Sequence, residues 1–284
     1  MKSIPQLRYL HYSWAVALIC SVALSWLTPQ IPAYKELITP NEVKPWSWSN
    51  SCKILLEDGF DGDFPCPFVT RKTDKSILLL GDSHAASFSY PLYEIAKKRH
   101  MSLFIWTQAG CPYVSQASHN ASIFMNGYPS SVCLLHNKKA ARWIAKNRPS
   151  YVVYNNRSAI YYSREKSMAQ VLAIQKAILG DIGATTQGFS KLIVIGPTLE
   201  YRFPTSLLAK TMGIKPAPNQ LILFEDYKLQ LFAKLNGTNY FSSINRFCSI
   251  LDCNKFENLK PYFWDSNHLN SAGAEITLEE FDFS

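Results

Sequence analysis

Two short segments carry the residue types that could do covalent chemistry. An apolar run leads into a serine at Ile77-Leu78-Leu79-Leu80-Gly81-Asp82-Ser83-His84, and Asp265-Ser266-Asn267-His268 sets a carboxylate three residues before a histidine near the C-terminus. A serine hydroxyl is a poor nucleophile until a base takes its proton, and an imidazole does this best when a carboxylate fixes its tautomer. Ser83, His268 and Asp265 are therefore the candidate nucleophile, base and orienting carboxylate. Of the six histidines, His268 alone has a carboxylate three residues earlier. His84 follows the serine directly and is expected to pack or hydrogen-bond beside it, with no proton transfer assigned. His100, His119 and His136 read as ordinary surface histidines. Asp82-Ser83 alone would be an unremarkable helix cap; the distant Asp-x-x-His is what lifts it above that.

These groups need a scaffold. Short apolar runs predict strands at 76–80, 103–107, 151–154, 191–195 and 239–243, and amphipathic stretches predict helices at 85–99, 134–147, 163–180, 219–235 and 271–280. Strands alternating with helices imply βαβ units, hence an α/β fold with a parallel sheet covered on both faces. Ser83 then lies beyond the carboxyl end of the first of these strands, where open sheets place their sites. A helix N-terminus there offers backbone N–H groups to a developing oxyanion.

The N-terminus reads as a membrane segment. Lys2 and Arg8 precede an uncharged run from Tyr12 to Leu27, with Trp14 and Trp26 near its ends. Such a run is close to the length a spanning helix needs, and the flanking positive charges place the N-terminus in the cytoplasm. A cleaved signal peptide, cut after the small residues Ala23 and Ser25, is the competing reading. The expected layout is a cytoplasmic tail at 1–8, a transmembrane helix at 9–28, a periplasmic linker and loop-rich extension at 29–71, and a folded domain at 72–284. The catalytic domain is thus expected in the periplasm, held to the inner membrane by a single pass.

Cysteine usage agrees with export. Beyond Cys20 in the apolar run, six cysteines fall as neighbours: Cys52 and Cys66, Cys111 and Cys133, Cys248 and Cys253. Disulfides between neighbours are the expectation in an oxidising compartment. No Cys-x-x-Cys is present and no histidine lies at ligand spacing, so no metal site is expected. With 47% hydrophobic and 18% charged residues the chain is a folded one. Its net charge of +8 suits anionic lipid or acidic glycan. Nucleic acid is excluded as a partner, because no dense basic run interleaves with aromatics.

Gly81-Asp82-Ser83-His84, Cys111-Pro112, Cys248 with Cys253, and Asp265-Ser266-Asn267-His268-Leu269-Asn270 together resemble one branch of the SGNH hydrolase superfamily. That branch is the domain C-terminal to the membrane acyltransferase domain in bacterial O-acetyltransferases that modify lipopolysaccharide O-antigen and related glycans. The resemblance covers residue 72 to the end. It implies a flavodoxin-like three-layer sandwich with a parallel sheet (the SGNH hydrolase fold), preceded by one transmembrane helix. It also implies an oxyanion hole built from the serine N–H, a glycine after the second strand and an asparagine after the third. Gly110 matches the glycine by position, and Asn155, Asn156 and Arg157 are the candidates in the third block. The branch usually has Arg-Trp there; Arg157 matches, but Ser158 replaces the tryptophan. The implied activity is cofactor-free transfer of an acetyl or other acyl group to a surface glycan or lipid-linked glycan, with a multi-helix membrane acyltransferase as partner. Two other readings stay open. One is a stand-alone carbohydrate O-acetyl esterase using the same triad, and the other is a non-catalytic remnant that binds a glycan or a partner.

Overall fold

The computed structural model describes residues 65–70, 73–114, 131–158, 167–201, 219–248, 253, 256–257, 260–263, 267–281 and 283. The chain divides into two compact units, Met1–Val43 and Lys44–Ser284, and every described residue lies in the second. The apolar run assigned to a transmembrane helix at 9–28 lies outside the described residues. Among the described residues, no helix is long and apolar enough to cross a membrane.

The elements in chain order are β1 (Cys66–Val69), β2 (Ser76–Gly81), α1 (Ser83–Ala86), α2 (Ser89–Lys98), β3 (Ser102–Thr107), α3 (Ser131–Asn147), β4 (Tyr151–Asn155), α4 (Met168–Thr186), β5 (Lys191–Ile195), α5 (Gln220–Leu235), β6 (Asn239–Phe241), a 3-10 turn (Ile244–Arg246), β7 (Phe256–Glu257), β8 (Lys260–Pro261) and α6 (Ser271–Leu278). The main sheet has the order β1-β3-β2-β4-β5-β6. Strands β2 to β6 are parallel, and β1 joins antiparallel to β3 at the edge. Counting the parallel strands alone gives the flavodoxin-like order, in which the sequence reverses direction between β2 and β4. The α/β sandwich expected from the sequence is the fold observed.

Parallel strands covered on both faces are apolar throughout, and β2 shows why its run is continuous. Ile77 and Leu79 face one core with Phe88, Leu92, Leu103, Ile105, Val153 and Ile193, whereas Leu78 and Leu80 face the other with Trp106, Val152, Ile174 and Ile178. Helices α1, α2 and α6 cover the first face and α3 and α4 the second.

Several boundaries differ from the sequence reading, three of them as follows. The sheet begins before residue 72: Cys66–Val69 forms β1, which was expected as part of a loop-rich extension. The helix expected at 85–99 is broken at Ser87 and Phe88. In an unbroken helix Pro91 would face the Ser87 carbonyl with no N–H and a steric clash; the break moves Pro91 into the first turn of α2, where proline is tolerated. The helix expected at 163–180 runs Met168–Thr186, because Ser167 and Gln170 form a reciprocal capping box at its start.

Candidate active site

The site grows from the end of β2. In the sheet register Gly81 lies between Thr107 of β3 and Asn155 of β4. Its φ of +145° is a region that favours glycine, and a Cβ there would stand 1.8 Å from the Asn155 carbonyl oxygen. Glycine thus lets the chain turn sharply off the strand while pressed against β4. The turn is held on the β3 side by the Gln108 N–H, which donates to the Gly81 carbonyl at 3.1 Å.

Asp82, Ser83 and His84 then point to three different partners. Asp82 caps α1: one carboxylate oxygen accepts the His84 N–H and the other accepts the Arg157 N–H, each at 2.8 Å. It ties the serine turn to the chain leaving β4. Burial pushes the Asp82 carboxyl up from 3.8 to about 6, against the pull of the Arg157 and His84 N–H groups and the positive field of His268. Ser83 is half-buried, and its Oγ lies 3.0 Å from His268 Nε2. His84 is buried, with Nδ1 2.6 Å from Thr198 Oγ1 and Nε2 3.1 Å from Asn267 Oδ1.

His268 reaches the serine from the C-terminal segment, which is anchored on both sides. Phe263 bridges to Leu269, the Asn270 N–H donates to the Tyr262 carbonyl at 3.0 Å, and the Asn270 side chain caps α6 by accepting the Gly273 N–H at 2.9 Å. A hydroxyl at this distance from an imidazole nitrogen can hand over its proton when that nitrogen carries the lone pair. Asp265 lies outside the described residues.

The four oxyanion candidates fare differently. Asn155 is fully buried, and its side-chain amide donates to the Ile195 and Gly196 carbonyls at 3.1 and 2.8 Å, tying β4 to the end of β5. Arg157 gives its N–H to Asp82 and forks its guanidinium onto Glu200, with contacts of 2.9 and 3.2 Å. Asn156 is buried, and among the described residues its amide has a single, long contact of 3.5 Å to the neighbouring Arg157 carbonyl. Gly110 sits in the turn after β3 with φ +65°. The N–H of Ser83, first in α1, has no intrahelical partner by position.

Disulfides join Cys111 to Cys133 and Cys248 to Cys253 as neighbours. Cys52 and the Cys66 side chain lie outside the described residues, as does His119. His136 corrects the surface reading: it is 6% exposed, packs edge-on to Trp106 with ring centroids 5.5 Å apart, and burial with nearby Lys139 holds its pKa down at about 4. It sits on the inner face of α3, where Cys133 and Asn137 are also buried, so its helix position decided its burial. His100 is exposed.

Thr198, Glu200 and Asn267 escaped the sequence reading. Thr198 and Glu200 lie in an unpatterned loop after β5, and their partners are far away in the chain. Asn267 stands inside the Asp-x-x-His segment, where the sequence alone gives it no role.

A flavodoxin-like sheet that brings a serine and a histidine together beyond its carboxyl edge is the SGNH arrangement. The chain belongs to the family of SGNH domains (fused to AT3 domains), which it matches over residues 51–283. The family places it among SGNH-type enzymes that transfer acyl groups or hydrolyse esters. Among solved structures it is similar to the periplasmic domain of a lipopolysaccharide acetyltransferase from Salmonella ser. Paratyphi A, at 17% identity and a TM-score of 0.58 over 74% of this chain and 82% of that one. A GDSL-like lipase from Bacteroides thetaiotaomicron follows at 16% identity, TM-score 0.44, 73% of this chain and 87% of the other. A carbohydrate acetylesterase family member from Sinorhizobium meliloti stands at 11% identity, TM-score 0.45, 72% and 96%. No curated protein sequence matches the chain.

Proposed function

We propose that this chain is a membrane-anchored, periplasmic O-acyltransferase module that moves an acetyl or other acyl group onto a surface or lipid-linked glycan. The observation that carries the reading is the 3.0 Å contact between Ser83 Oγ and His268 Nε2, within a family defined by its fusion to AT3 domains. Ser83 Oγ attacks the acyl carbonyl while its proton passes to His268 Nε2. The leaving group departs with that proton, and the acyl group stays as an ester on Ser83. A glycan hydroxyl then gives its proton to His268, attacks the ester carbonyl and carries the acyl group away, and the proton returns to Ser83. Asp265 orients the imidazole and balances its charge. The Ser83 N–H, Gly110 and the Asn156 amide stabilise the oxyanion. Asn155 and Arg157 act instead by holding the loops around it. A multi-helix membrane acyltransferase supplies the donor side, and the apolar run at 9–28 keeps the domain near lipid-linked substrates.

The same residues hydrolyse an ester when water is the acceptor. The test uses the full chain in detergent with an aryl acetate donor and surface polysaccharide stripped of O-acetyl groups. Acetate appearing on the polysaccharide, and absent with Ser83→Ala, is the expected result. Release of acetate with none on the polysaccharide supports an esterase, and neither outcome in any membrane context supports a binding remnant.

A further inference from the structure

Two consecutive residues of α1 meet two consecutive residues of the C-terminal segment. Ser83 meets His268 at 3.0 Å, and His84 meets Asn267 at 3.1 Å. The rings of His84 and His268 also touch, with centroids 4.6 Å apart and planes inclined by 49°. A neutral imidazole has one donor and one acceptor. Asn267 Oδ1 can only accept, so His84 Nε2 carries the proton. Nδ1 then accepts from the Thr198 hydroxyl at 2.6 Å. The Asn267 backbone oxygen, 3.2 Å from Thr198 Oγ1, is an alternative acceptor for the same single hydroxyl proton, so the loop after β5 and the C-terminal segment meet at this point. His84 is 1% exposed and Thr198 3%, so water does not replace these bonds readily.

We infer that His84 is a positioning residue: through Asn267 and Thr198 it fixes where His268 stands relative to Ser83. The inference rests on the reading of Ser83 and His268 as nucleophile and base. The chain from Asn267 to His268 is one peptide link, so the His84 contact sets the register of the base. On the C-terminal side of His268 the segment is anchored at Leu269 and Asn270, and on the N-terminal side Asn267 meets His84 and lies beside Thr198. A histidine buried only to fill the core would leave the reacting pair unmoved. A misplacement of about 1 Å at the reacting atoms costs on the order of 100-fold in rate.

The test measures ester turnover by the full chain carrying His84→Ala, His84→Gln, Thr198→Val or Asn267→Ala, each assayed well below its own melting temperature. His84→Ala is expected to lower kcat by about 100-fold with KM within about twofold. His84→Gln keeps an amide N–H that can reach Asn267 and is expected to recover part of that loss. The double variant His84→Ala with Asn267→Ala is expected to lose no more than the worse single one, because both cut the same link. Thr198→Val, nearly isosteric, gives a smaller fall in kcat and keeps the inference testable if His84→Ala does not fold. The inference is overturned if KM rises while kcat holds, if the two losses multiply, or if glutamine is no better than alanine. Ser83→Ala separates the two levels: wild-type turnover in that variant would sink the nucleophile assignment itself, whereas its inactivity beside a fully active His84→Ala would sink only the role of His84.

Discussion

At Asp82 the demands of fold and site meet in one carboxylate. It is buried among N–H groups that favour its charge, yet desolvation wins and its pKa rises from 3.8 to about 6. The native state therefore holds this proton to higher pH than the unfolded chain does. Its contribution to stability is complete below about 3.8 and is lost as pH rises through about 6. That difference corresponds to about 3 kcal/mol. Asp82→Asn has no charge to bury, so its stability relative to wild type should improve between about pH 4 and about pH 7. Urea unfolding of both proteins across that range measures the difference; parallel curves would show that Asp82 does not titrate as described.

At the scale of elements, the loop after β5 acts as a hub. Gly196 accepts from Asn155, the Pro197 carbonyl accepts from Ser243, Thr198 meets His84, and Glu200 holds Arg157. Asn155 and Asn156 are adjacent, but the roles proposed for them differ. Asn155→Ala would leave the Ile195 and Gly196 carbonyls without their donor, costing roughly 1–3 kcal/mol for each. Asn156→Ala touches no such link and should lower kcat by about 100-fold with little change in stability, as loss of an oxyanion donor does. Thermal unfolding and turnover of the two variants, compared side by side, should separate them; equal destabilisation would contradict the division. The four inner parallel strands were legible because strands buried on both faces are apolar along most of their length, as Ile77 to Leu80 are, whereas the edge strand β6 is only three partly exposed residues. The short β1 was not legible, because Cys66–Val69 is four residues in a Pro-rich stretch and pairs only at the edge. The clamp on His84 was invisible for another reason. Its partners lie 114 and 183 residues away, and no local pattern marks them. Ser83 and His268 were legible because their own segments announce residue types that chemistry needs.

For the whole molecule, covalent links act beside the sheet: Cys248–Cys253 reinforces a β-bridge between the same two residues, and Cys111–Cys133 ties a turn to a helix. Cys111–Cys133 joins the turn after β3 to the start of α3, across a separation of 22 residues. In the chain-entropy model a loop of this size is worth about 3 kcal/mol. Replacing both cysteines with alanine should lower stability by about that amount, read by urea unfolding under oxidising conditions. A double variant as stable as wild type would mean that the turn is held by its other contacts, such as the Asn137 amide donating to the Pro112 carbonyl at 2.8 Å.

Ser83 is proposed as an activated nucleophile, and covalent labelling of the full chain with a fluorophosphonate reads this most directly. The expected result is one labelled peptide containing Ser83, no label in Ser83→Ala, and labelling slowed by at least about 100-fold in His268→Ala, since the base is what activates the hydroxyl. Label on another residue, or labelling of Ser83 at the wild-type rate without His268, would contradict it.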